Sequence, residues 1–300
     1  MSILKEIWTS SIQENLYANN DHVTLSTNHD PFVVNNKIHV PQAGAKPTIT
    51  LNPSSFPLTA TQRTDTDLNY TCDNYSVSPT LITDIESFQI QYDKRMSVMN
   101  NIIKSLNTDL GSRIFYKWGA GSTVFSTTGS ASSSGLASGA TGSRKKMTLA
   151  DAFVMQTNFD KTYVPKDNRY LMLPTDMYYE LIQDANVLPA YSLGQAVIGT
   201  GVLPKIAGFT VLQRPDVWIT DGSNNLKTYG ASGSSGDCLA GFAWHPDFVA
   251  KGLGSILSYV NQGSGSGDAF YQGIIISGAV FFGASQMYAT HIGTAVIQSA

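Results

Sequence analysis

At the start of the chain Ile3, Leu4, Ile7, Trp8, Ile12 and Leu16 recur at steps of one, three or four, the stripe of an amphipathic helix. Lys5 is its one cation, so the stripe suits docking on protein better than lying on a membrane. From 36 to 79 the period changes. Pro41, Pro47, Pro53, Pro57 and Pro79 exclude a helix. Two alternating pieces remain, Ile38-His39-Val40 and 68–73, the second with Leu68, Tyr70 and Cys72 on one face. They predict a long hairpin with prolines blunting its edges, too poor in large apolar residues to form a core and so lying across something else.

The strongest periodicity follows. Thr83 and Glu86 make a capping-box pattern around Asp84, and Ile85, Phe88, Tyr92, Met96, Met99, Ile103, Leu106, Leu110 and Ile114 come at steps of three or four, ending at Trp118-Gly119. This predicts a helix over 84–118, about 50 Å long at ~1.5 Å per residue. Its polar face lacks the ordered charges of a coiled coil, which favours a single spine laid along a sheet. Residues 119–143 are nearly all Gly, Ala, Ser and Thr and read as a flexible insertion, closed by a solvated basic triplet, Arg144-Lys145-Lys146.

Helices are then predicted at 149–159 and 177–184, strands at 170–173, 206–212 and 239–244, a short helix starting at Pro246, and a turn cluster at 263–267. Two long strands, 274–282 and 286–297, end the pattern, the first buried on both faces. The fold class is α+β.

Composition narrows the function. Three hundred residues are ample for a core, and charged residues make up only 14% against the usual ~25%. A polar, weakly charged exterior suits surfaces destined to be covered. A net charge of -3 gives no electrostatic ground for tight binding to nucleic acid or anionic membranes. Residues 1–83 carry four Lys plus Arg and seven Asp plus Glu, so this region is not a genome-condensing basic tail. The two cysteines, Cys72 and Cys238, read as buried thiols rather than a disulfide framework. The start lacks a secretory pattern, and the longest apolar stretch, 273–284, is too short for the ~20 residues of a membrane span, so a soluble protein is expected.

Candidate chemistry is sparse. His22 and His29, each beside an Asp, lie in an Asn-rich loop with no spacing to converge them on a metal. His245-Pro246-Asp247 reads as a helix start, with no Gly-X-Ser-X-Gly nucleophile motif elsewhere. The 263–267 run lacks the Lys of a phosphate loop. Asn69-Tyr70-Thr71 and Asn74-Tyr75-Ser76 are chance triplets in an Asn- and Thr-rich chain, and Asp65 and Asp67 are solvated loop acids. No catalytic, cofactor or metal site is expected.

The order of arm, proline-marked hairpin, very long helix, mixed α/β region and terminal strands resembles the major capsid proteins of tailed bacteriophages, with the Hong Kong 97-type fold. Several phrases are similar to those of phages infecting Bacteroidetes-type hosts: Val40-Pro41-Gln42-Ala43-Gly44, Arg63-Thr64-Asp65-Thr66-Asp67-Leu68, Gln91-Tyr92-Asp93-Lys94-Arg95, Arg169-Tyr170-Leu171-Met172-Leu173-Pro174 and Ile206-Ala207-Gly208-Phe209. The resemblance implies an N-terminal arm (1–36) and an extended loop with the first strand of the peripheral domain (37–83). It further implies a spine helix of the peripheral domain (84–118), a flexible insertion (119–146), an axial domain (147–270) and return strands of the peripheral domain (271–300).

Such a protein is a non-enzymatic shell subunit in the virion capsid. It assembles in the host bacterial cytoplasm as pentamers and hexamers into an icosahedral shell around double-stranded DNA, bound without sequence specificity. A separate scaffolding protein, a portal and decoration proteins are the implied partners, with no membrane. Contacts between copies are expected at Ile7, Trp8, Lys46, Phe56 and Arg63. The type member cross-links Lys to Asn between subunits and the extended loop here offers Lys46, but nothing around it marks a matching Asn and catalytic Glu, and that chemistry is not carried over. Alternatives are a same-fold compartment that encloses enzymes, distinguished by its cargo, and an α/β enzyme with a Gly-rich lid, which would need convergent titratable groups.

Overall fold

The computed structural model describes residues 20–58, 60–83, 94–184, 205–215, 217–223, 225–262, 273–288 and 290–298. Strands β1 (Thr27–Asn28) and β2 (Val33–Val34) precede the pair β3 (Lys37–Gln42) and β4 (Thr66–Thr71). Next come β5 (Asp73–Ser76), β6 (Thr80–Thr83), helix α1 (Lys94–Gly119), β7 (Thr123–Ser126), β8 (Ala131–Ser132) and β9 (Arg144–Lys145). The rest runs α2 (Leu149–Lys161), β10 (Arg169–Leu173), α3 (Thr175–Gln183), β11 (Phe209–Gln213), β12 (Trp218–Thr220), β13 (Cys238–Trp244), β14 (Val249–Gln262), β15 (Gly273–Gln286) and β16 (Thr294–Gln298).

A six-stranded sheet in the order β11-β10-β13-β16-β7, with β12 also on β13, is apolar on both faces. Leu171, Leu173, Phe209, Val211, Ala243, Ala295 and Ile297 point to one side, where Met155 and Phe159 of α2 and Met177 and Leu181 of α3 cover them. Their alternates, Met172, Phe242, Trp244 and Val296, point to the other and meet Leu110, Ile114, Phe115 and Trp118 of α1. Period-two alternation thus gives each strand two buried faces, which explains the nearly continuous apolar runs of β10, β13 and β16.

The second sheet, five-stranded in the order β1-β14-β15-β5 with β6 also on β15, lies under α1. The first half of the helix packs there through Ile102 against Ile82 and Ile276, with Val98, Met99 and Leu106 beside them. The second half presents Leu110, Ile114 and Trp118 to Val280, Phe282 and Ala284 of β15 as well as to the six-stranded sheet. Helix α1 therefore joins the two sheets. Its 26 described residues span about 39 Å at ~1.5 Å per residue. The expected start at residue 84 lies outside the described residues.

Several expectations are corrected. The buried stripe of α1 runs through Ile102, not Ile103, which is 53% exposed, and Met96 is exposed too. The strand expected at 206–212 starts only at Phe209, because Ile206 and Phe209 exchange backbone hydrogen bonds of 2.9 and 2.8 Å across a tight turn with Ala207 and Gly208 at positive φ. Among the described residues, 287–288 and 290–293 are not strand. β15 continues to Gln286 and β16 begins at Thr294. Strand β14 lies where the apolar pattern predicts no strand.

The 119–146 span, read as a flexible insertion, contributes β7, which pairs in parallel with β16, and the β8–β9 ribbon. Arg144 of the supposedly solvated triplet is fully buried, while Lys145 and Lys146 are exposed. The arm stripe at 3–16 and the turn at 263–267 lie outside the described residues. Among the described residues no helix is long and apolar enough to cross a membrane.

Ile114, 1% exposed between the two sheets, tests the helix phase. Ile114→Ala should cost roughly 2–5 kcal/mol in denaturant unfolding. Ser105→Ala, nine residues back and exposed, should stay within about 0.5 kcal/mol of the parent.

Candidate assembly surfaces

The most distinctive surface is the 43–65 excursion between β3 and β4. Its base is a ladder with Lys37 opposite Thr71 and Gln42 opposite Thr66. Just beyond, the Gly44 N–H donates to Asp65 Oδ1 at 2.9 Å and Arg63 pairs with the same carboxylate at 2.6 Å. These two donors hold the Asp65 carboxyl below the usual carboxylate range. A Cβ at Gly44 would lie 2.0 Å from the Thr64 carbonyl oxygen, so only glycine lets the two arms of the neck approach this closely. His39 Nδ1 contacts Asp67 Oδ2 at 2.6 Å across the ladder.

The base is fixed to the sheet below it. Ile38 is fully buried, and a Cβ at Gly252 of β14 would come 2.2 Å from Ile38 Cδ1. The Gln42 amide donates to the Met287 carbonyl, and Tyr70 OH meets His29 Nδ1 at 3.0 Å. Outside this pinned neck, Ile49, Leu51 and Phe56 are 93%, 87% and 76% exposed, and Leu58 is exposed as well. These four large apolar side chains on a proline-rich loop stand outside the cores formed by the described residues, as an exposed apolar patch.

Of the residues expected at contacts, Lys46, Phe56 and Arg63 share this loop. Lys46 and Phe56 are exposed, whereas Arg63 is engaged with Asp65. Ile7 and Trp8 lie outside the described residues. Sequence reasoning missed Ile49 and Leu51, although the alternation Thr48-Ile49-Thr50-Leu51 between two prolines was a usable signal. It also missed β14, whose Ile256 and Tyr259 are exposed. A third patch comprises Phe153 and Val154 on the outer side of α2, with Tyr163 just past its end.

The groups that suggested chemistry are structural. His22 is buried, its Nε2 donating to the Gly111 carbonyl of α1 at 2.9 Å while its ring stacks on Phe115 at 4.4 Å. Burial, with Arg214 nearby, lowers its pKa to about 4. His245 Nδ1 accepts from the Asp247 N–H at 3.2 Å at the start of the short Pro246–Phe248 helix. Cys72 and Cys238 are buried thiols not joined in a disulfide, and burial pushes the Cys72 thiol up. Asp65 and Asp67 hold the loop neck rather than simply facing solvent. Among the described residues no group of three His, Cys, Asp or Glu side chains could hold a metal ion.

Two arginines act as anchors, one buried and one partly exposed. Arg144 donates to Glu180 Oε1 of α3 at 2.7 Å and to the Ser134 and Lys145 carbonyls, tying the Gly/Ser-rich span to the domain below. Arg113 lies 4.2 Å over the Tyr229 ring, and Tyr229 OH donates to Asp109 Oδ1 at 2.6 Å, which fastens the 221–236 loop to α1. Burial and that carboxylate push the Tyr229 hydroxyl up to about 12.

No model of a known protein family matches the chain, and no curated protein matches it by sequence. Solved structures do. A capsid structure of the cyanophage P-SCSP1u superposes with a TM-score of 0.72 at 16% identity over 99% of this chain and 93% of that one. The cyanophage Pam1 capsid gives 0.71 at 9% over 99% and 96%, and a Mycobacterium phage Che8 structure gives 0.72 at 16% over 99% and 97%. The chain therefore has, end to end, the mixed α+β fold found in phage capsids.

Two predictions follow from these contacts. His22 is kept neutral in the fold, so protonation favours the unfolded chain, and its contribution is complete above pH ~6.5. As pH falls from 6.5 toward 4 that contribution is lost, up to about 3 kcal/mol, and His22→Gln should flatten this part of a stability–pH curve. Arg144→Met leaves Glu180 buried without its cation and should cost about 3–5 kcal/mol in thermal or denaturant unfolding.

Proposed function

We propose that copies of this chain form the closed icosahedral shell of a tailed bacteriophage, as its major capsid protein. The observation that carries this is the end-to-end likeness to capsid structures at TM-scores up to 0.72, which leaves essentially no part of the chain for another role. The exposed apolar loop and the low charge content support it, since both suit a subunit most of whose flanks are covered.

In the finer reading the fold is of the Hong Kong 97 type and the host belongs to the Bacteroidetes group. The five-stranded sheet with α1 is the peripheral domain and the six-stranded sheet with α2 and α3 the axial domain, which corrects the bounds 147–270 and 271–300, since β14 pairs with β15 and β16 with β13; the 43–65 excursion is the outer part of the 37–83 extended loop. Pentamers and hexamers close around double-stranded DNA, with Ile7, Trp8, Lys46, Phe56 and Arg63 at contacts between copies. Scaffolding, portal and decoration proteins act alongside, and assembly takes place in the host cytoplasm. Motor-driven filling of a preformed shell requires no basic tail, in keeping with the acidic balance of residues 1–83. Many modest contacts become cooperative through ring closure.

Negative-stain electron microscopy of the purified protein, alone and with a co-expressed scaffolding protein, is the direct test. Rings or closed shells are expected. A monomer under every condition overturns the reading, and shells that copurify with an enzyme instead of nucleic acid would assign the chain to a cellular compartment. Deleting residues 44–63 should leave the circular dichroism spectrum of a folded subunit and abolish shells in sedimentation. Normal particles from that deletion would remove the loop from the contact set.

A further inference from the structure

One flank of α1 is left with an apolar strip that nothing in the described chain fills. The helix faces β14 on this flank: Asn107, Leu110 and Gly111 line a cavity of about 270 Å³ together with Lys251, Leu253 and Phe282. Asn20, where the described chain begins, lines the same cavity. Its side-chain amide donates to the Asn107 carbonyl, and its Oδ1 accepts from Arg214 Nη1 at 2.6 Å. One turn before Asn107, Ile103 stands exposed, and Met96 is exposed two turns further back. Across from them on β14, Ile256 and Val260 pair with Val280 and Ile276, two residues that are buried beneath α1. Cross-strand partners share a face. Ile256 and Val260 therefore overhang on the helix side of the sheet, and Ile256 is 71% exposed.

We propose that in the free subunit residues 3–16 of the same chain dock along this strip as an amphipathic helix, with Ile3, Leu4, Ile7, Trp8, Ile12 and Leu16 turned toward Ile103, Ile256 and Val260. Three observations select this occupant. The arm is tethered at one end of the strip by Asn20, and the four residue steps from Leu16 to Asn20 reach up to about 14 Å, enough to place Leu16 beside Ile103. The lengths agree: Asn107 back to Met96 is about 16 Å along α1, and residues 3–16 as a helix measure about 20 Å. The direction is fixed because the other way along α1 is occupied, Ile114 and Phe115 being buried and His22 stacked on Phe115. The arm thus lies parallel to α1, with Trp8 and Ile12 toward Met96.

So short a tether gives an effective concentration of order millimolar, well above that of a second subunit in dilute solution. Docking within one chain withholds the stripe from neighbours until assembly supplies a competing site. The proposal concerns the isolated subunit and stands apart from whether subunits close into shells.

Hydrogen exchange of the full chain in dilute solution tests it. Amides of residues 3–16 should exchange at least tenfold more slowly than in the isolated 1–19 peptide. Ile103→Asp combined with Ile256→Asp should return them to the peptide rate, while amides of β10 and β13 stay protected and so report an intact fold. The proposal is overturned if the arm of the parent chain exchanges at the peptide rate, or if its slowing survives both substitutions. Slowing that fades on hundredfold dilution would also overturn it, by assigning the strip to a second copy.

Discussion

Trp118 is the point on which the two halves of the molecule turn. It sits fully buried at the last turn of α1, its Nε1 donating to the Ala250 carbonyl of β14 at 3.0 Å. Its ring stacks on Phe242 of the six-stranded sheet at 6.5 Å and lies 6.0 Å from Trp244. Trp244 in turn donates to the Leu25 carbonyl at 2.9 Å. The carbonyls freed at the end of the helix are taken up by the Gln286 amide, which donates to the Trp118 and Ala120 oxygens from the end of β15. One aromatic cluster thus fixes how the long helix leaves one sheet and meets the other. The flanking elements keep their places because this junction is packed on every side.

What the sequence reveals follows from how locally each element is determined. Helix α2 is visible because its apolar spacing agrees with a start where Asp151 accepts from the Thr148 N–H at 2.9 Å. Strands β10 and β13 are visible because both faces are buried. The phase of α1 is harder to read, since Ile102 and Ile103 are equally apolar and only the placement of β15 decides which is covered. Strand β14 escapes notice because Gly252, Gly254, Ser255 and Ser258 break its alternation. Its glycines answer to Ile38 and Phe281, which belong to other parts of the chain. The β7 strand is hidden by averaging: four residues within a long Gly- and Ser-rich span are extended only because β16 pairs with them.

The surface tells a parallel story. A loop of prolines and polar residues is easily identified as lying outside the core, and its alternating Ile49 and Leu51 mark it as more than a linker. The neck that aims it depends on Gly44, Arg63 and Asp65 meeting across the chain, a geometry no spacing rule encodes. The burial of Arg144 is equally invisible beforehand, because Glu180 lies far along the sequence on another helix. A few charged residues, scarce in this chain, thus serve internal anchoring, and Arg144, Arg169 and Arg214 are buried.

The pairing of distant strands has a kinetic consequence. Thr27 lies against Ala250, and Thr123 against Ala295, so two of the parallel ladders close loops of more than about 170 residues. Such contacts reward the chain only after that closure entropy has been met, and topologies rich in them fold slowly. Until β16 slots between β13 and β7, both of those strands present open edges with apolar faces. A newly made chain therefore passes through a prolonged stage in which collapse with other unfinished chains competes with its own completion, and its yield depends on how crowded it is and how well it is chaperoned during that interval.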